Sequence, residues 1–365
     1  MPTIRAGRVL YKVGEQRLKT IHIHASRDYA VTVGAGLLDR AGELAAPLVR
    51  GRRAAICAGE NVMPLYGERL RQSLESAGFT VCCVCYPAGE SAKTPETLFS
   101  IVESLAQHGL TRADAVFALG GGVTGDMAGL AAALYQRGIA CIQLPTTLLA
   151  AVDASVGGKT AVNLPQGKNQ LGVFSQPALV LCDTDTFRTL PPDVYTEGWA
   201  EVIKCAFLRQ GVLQELLTED QPDIEAVIAA CVEIKRDIVA ADEFDTGERQ
   251  LLNFGHTVGH AIEKCADYRI YHGFAVAIGM AVMTRGCVSL GLCAPEVLTQ
   301  LESYLEKYHL PQRCDYSSDA LLAAAMADKK RADDHITLIQ PVDVGVCRRV
   351  ETDFEQLRLL IERGL

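Results

Sequence analysis

The sequence predicts an α/β domain with a mostly parallel sheet over residues 1–185, followed by a mainly α-helical domain over residues 186–365. Three observations carry that reading. In the first half, short and continuously apolar runs ending in Gly or Pro alternate with runs of helical spacing, as in a parallel sheet covered on both faces. After about residue 185 the strand texture fades and helical periodicity takes over. The length, 365 residues, suits two domains at about 100–200 residues each.

In chain order, residues 30–33, 53–57, 79–85, 115–119 and 139–144 read as strands. Residues 63–77, 94–109 and 125–136 between them have helical spacing. In the second half the helical runs are 199–217, 223–241, 250–266, 273–290 and 295–309. Pro191-Pro192, Gly211, Pro222, Gly291 and Pro311 punctuate them. A strand at 336–339 and a helix at 351–363 close the chain. No internal repeat or low-complexity segment is visible.

Composition narrows the function classes. About half of the residues are apolar, which supplies a large core. A formal charge of −9 disfavours nucleic acid and anionic membrane as partners. The thirteen cysteines, with Cys82, Cys83 and Cys85 together on an apparent strand and the rest scattered, read as reduced thiols of a cytoplasmic protein. Arg5, Arg8, Lys12, Arg17 and Lys19 are not followed by an apolar leader core, and no apolar run is long enough to span a bilayer.

Chemistry concentrates in three places. Leu119-Gly120-Gly121-Gly122-Val123-Thr124-Gly125-Asp126 follows an apolar strand and opens a helix. Glycines there let backbone approach a pyrophosphate at a helix N-terminus; the same run also suits a plain tight turn, with Asp126 serving the helix dipole. The second place starts at Pro145-Thr146-Thr147, continues from Asp153 through Ser155, Gly157, Gly158, Lys159, Thr160 and Asn163, and ends at Gly167-Lys168-Asn169. Hydroxyls, amides and lysines in that density suit phosphate and sugar hydroxyls. Asp153 stands where a P-loop needs its first glycine, which excludes that motif.

The third place holds His256 and His260, four apart on one helical face, with His272 downstream and Glu201 in Ala200-Glu201-Val202-Ile203-Lys204 as a further candidate. Three imidazole or carboxylate ligands with an open position make a catalytic divalent site. Spacing alone selects His256 and His260 as the ligand pair, against the alternative of core or capping histidines. Glu201 with Lys204 reads equally as an ion pair. Lys159, Lys204, Lys235 and Arg249 could line a pocket for carboxylate and phosphate, although each alone reads as a solvated charge.

Taken together, GGGVTGDMAG, LPTTLLAAVDASVGGKTAVN, GKNQLG, EGWAEVIK, LLNFGHTVGHAIE, HGFAVAIGM and DKK, in this order and with these gaps, resemble the 3-dehydroquinate synthase family over about residues 31–350. The resemblance implies Glu201, His256 and His272 as ligands of Zn2+ or Co2+, and moves His260 to acid–base work. It implies NAD contacts at Asn61, Glu90, Lys93, Gly121, Gly122 and Val123, and further ones at Asp126, Thr146, Thr147, Lys168, Thr186 and Thr189. Asp153, Lys159, Lys204, Asn253 and Asp245 match catalytic positions. Asn169, Lys235 and Arg249, with Lys329 or Lys330, match substrate contacts. Arg137 matches a residue inserted from a neighbouring subunit, which implies a homodimer. Two positions depart from the family pattern: Gly59 stands where an Asp for the adenosine ribose is frequent, and Asp245 where Glu is usual.

The activity so implied converts 3-deoxy-D-arabino-heptulosonate 7-phosphate to 3-dehydroquinate and phosphate. It proceeds by transient oxidation with NAD, phosphate elimination, re-reduction, ring opening and aldol closure. The alternatives are a sister cyclase of the 2-deoxy-scyllo-inosose synthase type, whose glucose 6-phosphate substrate lacks a carboxylate, and an NAD-dependent polyol dehydrogenase.

Overall fold

The structure is a computed structural model that describes residues 18–328 and 335–365. They fall into two compact units divided between Thr189 and Leu190.

In the first unit the chain runs β1 (Lys19–Ile23), β2 (Tyr29–Gly34), α1 (Ala41–Ala45), β3 (Arg53–Gly59), α2 (Glu68–Ser76) and β4 (Thr80–Tyr86). It continues through α3 (Pro95–Gln107), β5 (Ala115–Gly120), α4 (Gly122–Leu134), β6 (Ala140–Pro145), β7 (Lys159–Leu164), β8 (Gly167–Phe174) and β9 (Leu179–Asp183). Seven strands form one sheet in the order β1-β2-β9-β6-β5-β3-β4. Only the β1–β2 pair is antiparallel. Pleat alternation explains why the inner strands are apolar throughout. Ile56, Phe117, Leu119, Ile142 and Leu181 join a core with Leu70 and Leu74 of α2 on one face. Cys57, Val116 and Ala118 join Leu98 and Ile101 of α3 and Met127 and Leu130 of α4 on the other. β7 and β8 form a separate two-stranded ribbon.

Three differences from the sequence reading have local causes. β1, β9 and the β7–β8 ribbon were not expected: β1 and β9 are only five residues each, and the ribbon is built from the polar loop sequence around Gly167-Lys168-Asn169. The helix expected at 125–136 starts at Gly122, and that at 63–77 begins with a wide turn, Met63–Gly67, ahead of α2.

The second unit contains α5 (Pro192–Leu208), α6 (Val212–Thr218), α7 (Ile224–Ala241), a 3-10 turn (Glu248–Asn253), α8 (His256–Cys265) and α9 (His272–Ser289). It ends with α10 (Pro295–Lys307), α11 (Ser318–Asp328), the hairpin β10 (His335–Asp343) and β11 (Val346–Asp353), and α12 (Phe354–Gly364). α9 is buried on nearly every side from Gly273 to Cys287, so it reads as apolar all round and forms the axis of the unit. Its Val282, Met283 and Cys287 share a core with Val258 and Ile262 of α8, Leu321 of α11, and Leu357 and Leu360 of α12.

The helix expected at 199–217 is two helices, and it begins at Pro192, not Trp199. Proline at the first helical position lacks an N–H that would have been unpaired there anyway, so it starts this helix instead of ending a loop. The helix expected at 250–266 is broken in two. Gly255 sits at φ 78°, a left-handed conformation that separates the 3-10 turn from α8. Residues 351–353 belong to β11 and not to the last helix, and α11 was not anticipated.

Candidate active site

In the first unit β3 leads outward to β4, whereas β5, its neighbour on the other side, leads away to β6. The strand order therefore reverses between β3 and β5, and in open α/β sheets ligands bind beyond the carboxyl ends at such a point. Asn61 lies just past the end of β3, Gly121, Gly122 and Val123 past β5, and Thr146 and Thr147 past β6. Gly121 caps α4, and a Cβ there would come within 3.1 Å of the Thr147 methyl. The bare turn leaves the first N–H groups of α4 facing outward, the arrangement that takes a phosphate. At Gly59 a Cβ would stand 2.8 Å from Asn61 Oδ1, so Asn61 occupies the space a longer side chain would need.

A polar network ties other expected residues together. Lys93, 4% exposed, donates to Asp126 Oδ2 at 2.6 Å and to Asn169 Oδ1 at 2.5 Å. Asp126 thus serves an ion pair as well as the helix dipole. Glu90 accepts from Asn163 Nδ2 at 2.7 Å and lies 3.8 Å from Lys168 Nζ. Asn163 also accepts the Asn169 N–H at 2.9 Å, holding Asn169 in its left-handed conformation at φ 56°. The sequence shows Asn163 only as part of a polar loop; its bridging role depends on the β7–β8 pairing. Tyr66, also unforeseen, donates to the Thr186 carbonyl at 2.9 Å and is hydrogen-bonded to the Thr189 hydroxyl. Asp153 is half-buried in the turn Ala150–Ala154, Lys159 is exposed at the start of β7, and Arg137 is exposed in a left-handed turn after α4.

The second unit builds its cluster from three helices. Glu201 lies on α5, fully buried, and His256 and His272 are the first residues of α8 and α9. Two glycine contacts bring them together. A Cβ at Gly279 of α9 would stand 2.1 Å from the Gly255 carbonyl, and one at Gly273 would stand 2.0 Å from the Glu197 carbonyl. Backbone therefore touches backbone where α9 crosses the start of α8 and where it meets α5.

The ligand atoms of Glu201, His256 and His272 lie within 4.8 Å of one another. Glu201 Oε1 is 3.5 Å from His256 Nε2 and 3.4 Å from His272 Nε2. A tetrahedral cation with ligands at about 2.0–2.1 Å spaces its donors about 3.3 Å apart, so the set fits a zinc-type ion. His256 Nδ1 donates to the Phe254 carbonyl at 3.1 Å, which fixes the tautomer and leaves the Nε2 lone pair for the cation. Burial holds the His256 imidazole neutral, with its pKa lowered to about 3. Burial acts in the same sense on His272, but the Glu201 and Glu263 carboxylates facing it outweigh this and raise its pKa to about 10. Two carboxylates around one imidazole call for a positive charge at this point, whether proton or metal.

Spacing had paired His260 with His256. The rings are indeed 5.4 Å apart, but His260 belongs to a different grouping, with Glu263 and His272. One helical turn brings rings side by side without aiming their nitrogens at one point.

Lys204, 1% exposed, lies 2.5 Å from Glu201 Oε2. Lys235 on α7 and Arg249 in the 3-10 turn are buried cations, and Arg249 donates to the Glu243 carbonyl. Asn253 is exposed, and Asp245 sits at φ 61°. Lys329 and Lys330 lie outside the described residues. Two residues here escaped the sequence reading. Glu263 follows His256 by seven residues and His260 by three, on the same face of α8, and Glu197 precedes Glu201 by one turn of α5 and accepts the Gly273 N–H at 3.1 Å. Helical spacing was the available signal for both.

An α/β unit with an anion-accepting turn at its strand reversal, joined in one chain to a helical unit that converges a carboxylate and two imidazoles, defines the nucleotide- and metal-dependent class of enzymes. Models described as 3-dehydroquinate synthase N-terminal and C-terminal match residues 83–197 and 198–331. The chain belongs to the 3-dehydroquinate synthase family. It is 41% identical to a 3-dehydroquinate synthase of Enterococcus faecalis, over 93% of this chain and 97% of that one. Among solved structures, a 2-deoxy-scyllo-inosose synthase complexed with carbaglucose-6-phosphate, NAD+ and Co2+ superposes with TM-score 0.86 at 26% identity, covering 95% of this chain and 100% of that one. A 2-epi-5-epi-valiolone synthase from Streptomyces hygroscopicus with NAD+ and Zn2+ gives 0.83 at 28% identity, covering 93% and 98%. No helix of the described residues is long and apolar enough to cross a membrane.

Proposed function

We propose that the chain is a 3-dehydroquinate synthase, a phosphate-eliminating cyclase acting on 3-deoxy-D-arabino-heptulosonate 7-phosphate with catalytic NAD and a divalent cation, zinc or cobalt. The observation that carries the reading is the convergence of Glu201, His256 and His272 at tetrahedral donor spacing, in a chain 41% identical to a relative of that name.

Glu201, His256 and His272 would hold the cation, and the turn at Gly121–Val123 with Asn61, Thr146 and Thr147 would seat the dinucleotide, alongside Glu90, Lys93, Asp126, Lys168, Thr186 and Thr189. When bound, the cation would supply polarisation of a substrate hydroxyl and NAD a reversible hydride acceptor for that carbon. Lys235 and Arg249 bind the substrate carboxylate; the planar guanidinium fork suits it. Lys159 and Asn169 of the first unit, and Asn253 of the second, are the residues that the family resemblance assigns to the phosphate. His260, exposed enough to exchange with solvent, carries protons to and from the reacting oxygen, since an imidazole is poised near neutral pH. Lys204 holds Glu201 in place through its contact with Oε2, and Asp153 and Asp245 serve the polar lining.

Buried cations at Lys235 and Arg249 favour a substrate that carries a carboxylate over the sister cyclase's glucose 6-phosphate, which lacks one, and the 41% relative stands above the 26% of the 2-deoxy-scyllo-inosose synthase. The exposed Arg137, with Leu171, Val173 and Phe174 exposed on β8, fits a homodimer in which Arg137 reaches the neighbouring site. The free thiols fit a reducing cytoplasm.

The test is phosphate release from the heptulosonate phosphate with NAD below stoichiometric amounts, with and without a chelator. Many turnovers per NAD, no net NADH and loss with chelator are expected. Net NADH would favour the dehydrogenase, and turnover of glucose 6-phosphate alone would favour the sister cyclase.

A further inference from the structure

Glu263 has no place in the chemistry above, yet it is a carboxylate at 1% exposure on the histidine face of α8. Its Oε2 lies 3.3 Å from His272 Nδ1, while His272 Nε2 faces Glu201 Oε1 at 3.4 Å on the opposite edge of the ring. The same oxygen lies 3.9 Å from His260 Nε2. His256 has its own Nδ1 fixed by a backbone carbonyl; His272 has Glu263 there instead.

We infer that Glu263 is the positioning residue of His272. Its carboxylate accepts the Nδ1–H, turns the ring so that Nε2 points to the cation, and makes that nitrogen a stronger donor. A carboxylate behind a ligating imidazole fixes tautomer and orientation together, and removing one typically weakens metal binding about 10–100-fold. A backbone carbonyl fixes tautomer and orientation as well but carries no charge, so it strengthens the far nitrogen less, and His256 and His272 are unequal ligands. The inference rests on the metal reading of Glu201, His256 and His272, and goes beyond it by assigning a residue that none of those roles requires. The competing arrangement of the same atoms is a second cation held by His260, Glu263 and His272 Nδ1. It requires His272 to lose both ring protons.

The experiment uses full-length protein, stripped and titrated with Zn2+ and Co2+ against a chromogenic chelator, comparing the unsubstituted chain with Glu263→Gln and Glu263→Asp. Gln keeps a hydrogen-bond acceptor but removes the charge. Asp keeps the charge but withdraws it by one methylene. The inference expects one metal equivalent per chain, about 10–100-fold weaker binding in Glu263→Gln, partial recovery in Glu263→Asp, and a shifted Co2+ absorption spectrum in both. The unfolding midpoint of the stripped proteins separates these effects from loss of fold. Binding within twofold of the unsubstituted chain and an unchanged Co2+ spectrum in folded Glu263→Gln would overturn the inference alone. Two equivalents lost together in Glu263→Gln would make Glu263 a ligand and overturn it as well. Failure of the unsubstituted chain to bind either metal would remove the metal reading and the inference with it.

Discussion

His272 shows how one side chain can join several demands. It starts α9, faces Glu201 through one nitrogen and Glu263 through the other, and so depends on three helices at once. His272→Ala is expected to abolish metal uptake and nearly all turnover while NAD binding to the first unit persists; calorimetric titration with NAD and metal analysis of the dialysed variant check both halves. Arg249→Lys is expected to raise the KM for substrate more than that for NAD, because a lysine loses the two-pronged geometry; equal effects would count against a carboxylate clamp. Asp242 makes a prediction in pH. Burial works to raise its pKa, but N–H groups of Thr246, Gly247 and Arg249 bond its carboxylate and lower it from 3.8 to about 2. A depressed carboxyl stabilises the fold above its unfolded pKa and loses that contribution as pH falls through the folded one. The loop 242–249 should therefore loosen between pH 3.8 and about 2, and Asp242→Asn should flatten that limb of the unfolding curve while lowering stability near neutrality.

At the scale of elements, the contacts that matter most are those made by hydrogen atoms alone. Gly279→Ala would place a methyl 2.1 Å from the Gly255 carbonyl, forcing α8 and α9 apart; overpacking of this kind costs about 1–3 kcal/mol. Its expected signature is metal affinity falling more than NAD affinity, read by the same chelator titration. These contacts also mark the limit of what the sequence disclosed. Residues 273–290 declare a buried helix by being apolar all round, and the inner strands β2, β3, β5 and β6 declare themselves by apolar continuity. The break at Gly255 was illegible, since the pattern of apolar residues runs through it and only the left-handed backbone shows the stop. β8 was illegible for the opposite reason: it is exposed along nearly its whole length and carries no apolar alternation. Glu201 and His272 stand among the candidates in the sequence, but only the family resemblance selects them as ligands in place of His260, because no spacing rule links residues so far apart. Glu263 was within reach of helical spacing and was passed over in favour of the histidines themselves.

The whole molecule carries the turn proposed for the nucleotide in one unit and the cluster proposed for the cation in the other. If Arg137 completes the site of a second copy, activity belongs to the pair and not to the chain. Mixing inactive Arg137→Ala with inactive His272→Ala protein tests this. Random exchange gives heterodimers in half of the population, each with one complete site, and so about a quarter of full activity. No recovery despite subunit exchange, shown by mass, would place Arg137 on its own chain's site.

The glycine-to-carbonyl seam between α8 and α9 has one more consequence. The imidazoles are set by the scaffold and not by whatever ion they grip, unlike a zinc finger, which is a random coil without its metal. Chelated protein should therefore persist as a cooperatively melting, correctly shaped vessel. Adding cobalt to it should revive turnover about as fast as the ion can diffuse in, with no refolding lag.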